Sequence, residues 1–161
     1  MLPAEISGVV SIVDMAGDCP EDTALFETAC TEAQEFLLTQ PWCHGFGEVY
    51  FGAGVGGVVA IFLMSIYPVP TGADEWAWVI VGDLPPAYLM LDQCPTPVAA
   101  LKGYIRLMQD WVDLARDGVS SSDVVPVNVP ATSENATLLQ ERLDMLTATI
   151  LPWLEAGPTV H

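Results

Sequence analysis

The sequence predicts a single α+β domain over residues 1–161, in which a three- to five-stranded antiparallel meander sheet packs against about three helices. Two uncharged apolar runs carry the sheet. Residues 58–66 (VVAIFLMSI) and 76–81 (WAWVIV) are dense in β-branched and aromatic side chains, which suit a pleated surface. The stretch between them, 67–75, holds prolines, a glycine and acids, so the runs fold back on each other as neighbours. Segments 20–38, 96–117 and 133–151 supply the helices, because their apolar residues recur at intervals of three and four. Both runs are apolar at odd and at even positions, so each face of the sheet needs a cover, from these helices or from a second subunit.

Residues 1–18 are an extra strand or an extension; 6–13 alternate loosely, and Gly8 weakens the pattern. The first helix opens after Asp18 or Cys19, with Pro20 in its first turn and Glu21 and Asp22 where the helix dipole favours anions. Its apolar stripe is Phe26, Ala29, Cys30, Ala33 and Leu37, which puts Cys30 in the core. A short strand follows at 46–51, then GAGVGG at 52–57. This is formally G-x-G-x-x-G, but a dinucleotide fingerprint requires a helix next, and the β-branched run that follows is strand-like. A glycine-rich hairpin turn with a bulge is the reading adopted. Residues 49–67 are free of charge and as a helix would span ~28 Å, near the thickness of a bilayer. Glycines in the first half, strand composition in the second and the lack of basic flanks argue for the hairpin.

Asp83-Leu84-Pro85-Pro86 ends the second run, since two prolines remove two N–H donors, and 88–91 form a further short extended piece. Thr96 caps the next helix with Pro97 at its first position. Val98, Leu101, Ile105, Met108, Val112 and Ala115 share one arc, with Tyr104 and Trp111 at its edge, and Gly118 ends the helix. Thr132 or Ser133 opens the last helix, Leu139, Leu143, Leu146 and Ile150 form its stripe, and Pro152 should stop or kink it.

The formal net charge is −17, and it is uneven. Residues 1–101 hold 13 acids and no Lys or Arg; residues 102–161 hold 8 acids and all four bases. Such a field repels phosphate backbones and anionic lipid heads and attracts a basic protein, besides keeping an apolar domain in solution. Binding to nucleic acid or membrane is therefore not expected. The four cysteines form no CxxC pair and have no zinc-like His spacing, so no metal or other cofactor is expected either. The first residues lack the basic region of a secretory signal, which places the chain in the cytoplasm with reduced thiols.

GVGGVVAIFLMSI, EWAWVIVGDLPPAYL and the helix ALKGYIRLMQDWV together resemble an uncharacterised family of bacterial proteins with the same strand, VGDLP loop and Y-x-x-x-M-x-x-W helix. The resemblance covers residues 36–151 and implies a bacterial origin and no particular activity.

Chemistry has few places to reside. His161 is the last residue, so His-based catalysis must use His44, beside Cys43. Adjacent side chains usually point apart, nothing orients the pair, and acidic surroundings raise a thiol pKa; Cys43 and His44 are weak catalytic candidates. Asp83, Tyr88 and Asp92 are the binding candidates: the prolines at 85 and 86 offer no N–H to the Asp83 carboxylate, which leaves it to a cationic or hydroxyl-bearing group. Trp76, Trp78, Tyr104 and Trp111 are read as core rather than as a stacking site. The expected function is a non-enzymatic interaction module, of adaptor or immunity type, that binds a basic partner, with a homodimer covering part of the sheet. The alternative is a small enzyme or ligand-binding domain with a pocket at the loop 83–88.

Overall fold

The two apolar runs pair as the centre of one antiparallel sheet in the structure, a computed structural model that describes residues 9–11, 20–39, 45–55, 58–67, 76–82, 86–90, 96–117 and 132–155. Strands β2 (Gly45–Val55), β3 (Val59–Tyr67), β4 (Trp76–Gly82) and β5 (Ala87–Met90) lie side by side in chain order. The two-residue β1 (Val10–Ser11) adds to the outer edge of β2 through Val10 opposite Phe51 and Ser11 opposite Tyr50. Every pairing is antiparallel, so the meander expected from the sequence is present.

Both faces of the sheet are buried, as the unbroken apolar runs require. Trp76 to Val81 are buried at every position of β4. On one face α1 (Pro20–Leu38) sets Phe26, Cys30, Ala33 and Leu37 against Phe51, Phe62 and Val79. On the other, Ile61, Leu63, Trp76, Trp78 and Ile80 lie beneath α2 (Pro97–Arg116), α3 (Ser133–Met145) and α4 (Leu151–Glu155). One chain thus covers both faces, and the exposed large hydrophobics among the described residues are Leu25, Leu38 and Leu138. The ground on which the sequence pointed to a homodimer is thereby removed.

Residues 52–55 of the GAGVGG segment belong to β2, and the next element is the strand β3, not a helix. Strand β2 runs through Gly52 and Gly54 to Val55, and the Val58 N–H donates to the Val55 carbonyl at 2.9 Å to close the turn. The register shifts between Phe51 and Ala53, which is the expected bulge. Helices on opposite faces explain the glycines. A Cβ on Gly52 would stand 3.0 Å from the Trp78 ring and 3.2 Å from Pro97 at the start of α2, whereas one on Gly54 would stand 3.0 Å from Phe26 of α1. A second register shift, between Phe46 and Val49, takes the Glu48 N–H out of the ladder, and the Ser65 hydroxyl accepts it at 2.8 Å.

The helix caps behave as expected. Thr96 Oγ1 accepts the Ala99 N–H at 3.0 Å, and Thr132 Oγ1 accepts that of Asn135 at 3.2 Å. Asp18, Cys19 and Gly118 lie outside the described residues. Two details differ from the sequence reading. In α2 the buried face is turned toward the aromatics: Tyr104 and Trp111 are buried, while Val98 and Ile105 are half-buried. Large rings reach deeper into the space above Trp76 and Trp78 than β-branched residues do. Pro152 does not stop the last helix. A π turn at Leu146–Ile150, with the Leu151 N–H donating to the Leu146 carbonyl, leads into α4 through the proline. The wider turn shifts bonding from i−4 to i−5 just where the proline ring crowds the i−4 carbonyl, and the chain stays helical.

Candidate functional site

Where the first half of α1 passes the end of the β2–β3 hairpin, helix and sheet do not close completely, and a cleft of ≈ 160 Å³ remains. Its floor is apolar, made by the buried Phe26, Val59 and Ala60. The rim carries Leu25, Thr28, Glu32 and Gly82, all exposed. Leu25, Thr28 and Glu32 stand at i, i+3 and i+7, so they occupy one side of the helix, beside the stripe that faces the core. Gly82 has φ +146, and a Cβ there would collide with the Val58 carbonyl oxygen. The end of β4 therefore approaches the hairpin turn at backbone distance, which only glycine permits.

Electrostatics sets the rim apart from the floor. Glu21, Glu27, Glu32 and Glu35 are exposed on α1, a helix with no Lys, Arg or His. The cleft thus offers an apolar pocket edged by negative charge. It is suited to an apolar group carried next to a cation. Among the described residues no three His, Cys, Asp or Glu side chains cluster as a metal would need.

The candidates from the sequence fall as follows. Cys43, His44, Asp83 and Asp92 lie outside the described residues, Asp83 directly after Gly82 of the rim. Tyr88 is half-buried on β5, opposite Val79, with its ring 6.4 Å from that of Phe36 in the second half of α1. It packs with the α1 core cluster and does not line the cleft. Trp76, Trp78, Tyr104 and Trp111 are core residues, as expected. Cys30 is a buried free thiol that accepts from Gln34 Nε2 at 3.6 Å, and burial pushes its pKa up, away from the thiolate.

Two features were not legible in the sequence. One is the cleft itself; its signal was Leu25, an apolar residue beside the stripe of α1 rather than in it. The other is a polar corner on β2, where Tyr50 donates to Glu48 Oε1 at 3.1 Å and stacks obliquely on Trp76 at 5.9 Å. Desolvation, then the Glu48 carboxylate, raises the Tyr50 phenol above its ordinary value. The Trp76 indole N–H, buried close by, has no hydrogen-bond acceptor among the described residues. No helix among the described residues is long and apolar enough to cross a membrane, and residues 49–55 and 59–67 are strands β2 and β3. Comparison of the chain with protein-family models, with curated proteins and with solved structures gives no match.

Proposed function

We propose that this chain is a non-enzymatic interaction module, of adaptor or immunity type, that acts in the cytoplasm as a monomer and binds a basic protein through the outer side of α1. The observation that carries the reading is the concentration of acids on that helix, within a stretch of 101 residues that has no Lys or Arg. A one-signed surface steers an oppositely charged partner and turns away phosphate backbones and anionic lipid, so neither nucleic acid nor membrane is the partner. Acids are also a means of solubility; what favours binding is that they border an apolar cleft instead of an unbroken surface. Affinity capture from the source cell at low and at high salt tests it. A protein of high isoelectric point, retained at low salt and released at about a Debye length of a few ångströms, is expected. Captured proteins without a basic bias would exclude the reading.

A second reading, a small ligand-binding or enzymatic site at the loop 83–88, is favoured by one observation: the cleft ends on Gly82, next to Asp83. Asp83→Asn separates the two. A module that uses α1 keeps its affinity, whereas a site built on the Asp83 carboxylate loses roughly 1–3 kcal/mol of a cationic contact.

A further inference from the structure

We propose that the cleft between α1 and the β2–β3 hairpin receives one aromatic or branched aliphatic side chain of a basic peptide segment, whose neighbouring Lys or Arg residues meet Glu32 at the rim. The inference rests on the reading of α1 as the partner-binding surface and specifies how that surface selects.

Size comes first. A dry, apolar cavity of ~150 Å³ holds a benzene ring, and the cleft, at ≈ 160 Å³, has room for one side chain of that class and no more. Its chemistry points the same way: the floor of Phe26, Val59 and Ala60 offers no side-chain hydrogen bond, so the group that fills it must be apolar. Charge then decides what flanks that group. Glu32 stands on the rim one turn beyond Thr28, Glu35 follows on the same side of the helix, and both are exposed. An apolar anchor carried by an acidic segment would be repelled here, and one carried by a basic segment attracted. Leu25, 43 % exposed, extends the apolar wall outward at the mouth and adds contact for an entering side chain. Any side chain at Gly82 would drive the end of β4 and the hairpin turn apart, so the shape of the rim depends on that residue's lack of one. A second copy of this chain is a poor occupant, because it carries a formal net charge of −17 and would be repelled as a whole.

The test uses the full chain and two fluorescein-labelled peptides of Lys and Gly, one with a central Phe and one with Ala in its place, titrated at low ionic strength by anisotropy. The Phe peptide should bind roughly tenfold to hundredfold more tightly, the return expected for burying one such side chain. Amide shifts should centre on Leu25, Ala29, Val58 and Gly82. Leu25→Ser should weaken the Phe peptide and leave the Ala peptide unchanged, while Glu32→Lys should weaken both by roughly threefold or more. Both positions are exposed, and unchanged thermal melting shows that the variants are folded. Equal affinity for the two peptides, with both released by salt, overturns the cleft as an anchor site and leaves the acidic-surface reading standing. If neither peptide binds at low salt, both readings are overturned. Shifts at the same amides on concentrating the protein alone, without peptide, assign the cleft to a second copy and overturn the proposal.

Discussion

Gly82 shows how much a single position controls. Its φ of +146 lies where side chains are strained, and a Cβ would strike the Val58 carbonyl. Gly82→Ala should therefore destabilise by at least ~1–3 kcal/mol, seen in urea as a lower midpoint with unchanged slope. Gly54→Ala meets Phe26 at 3.0 Å, an aromatic edge that can give a little, and should cost less. Tyr104 sets an alkaline limit. It is fully buried, and desolvation raises its phenol far above the ordinary value of 10.0. Because the folded pKa lies above the unfolded one, the corresponding stability is complete below about pH 10 and declines as pH rises beyond it. Denaturation midpoints from pH 8 to 11 should fall at the upper end, and Tyr104→Phe should flatten that fall. A wild-type profile flat to about pH 11 would contradict the burial of the phenol.

Between α2 and α3 the contact is partly polar. Gln109 and Gln140 exchange amide hydrogen bonds at 2.7 and 3.0 Å, and the outer ends of the pair are held by Asp113, Asp144 and Arg116 at 3.1, 2.9 and 3.1 Å. A double-mutant cycle with Gln109→Ala and Gln140→Ala should give a coupling of roughly 0.5–3 kcal/mol, since each amide loses its partner when the other is removed. Thr96→Ala should cost about 1 kcal/mol by leaving the Ala99 N–H without its acceptor. Elements were also where sequence was most informative. The central strands follow from unbroken β-branched and aromatic composition, and the three helices with the stripe Phe26, Cys30, Ala33, Leu37 follow from periodicity, because burial on a helix repeats with the period of its backbone. The π turn did not show, since Pro152 reads as a stop or a kink until the i−5 bond ahead of it is known. Nor did the cleft. It arises where α1 meets a hairpin end at a particular angle, and no local pattern in either segment encodes a crossing. Tyr88 illustrates the same limit: its loop made it a candidate contact, and its half-buried place beside Phe36 follows from tertiary packing.

At the scale of the molecule, helical layers on both faces leave no extended apolar surface for a second subunit among the described residues, and sedimentation should report a monomer of 17.3 kDa at high micromolar concentration. A dimer there would mean that an interface forms outside the two covered faces. The order of the strands carries a further consequence, for synthesis. Sheet neighbours are neighbours in the chain, so each strand emerging from the ribosome finds its partner already made, and α1, made before β2, is on hand to close one face as the sheet grows. The opposite face has no such cover in time. Ile61, Leu63, Trp76, Trp78 and Ile80 all precede α2, α3 and α4 in the chain, and until those last helices emerge the nascent sheet presents two indoles and three large aliphatic side chains to solvent. Exposed apolar surface of that kind favours aggregation, and truncation before residue 97 should yield an insoluble product even with the sheet complete.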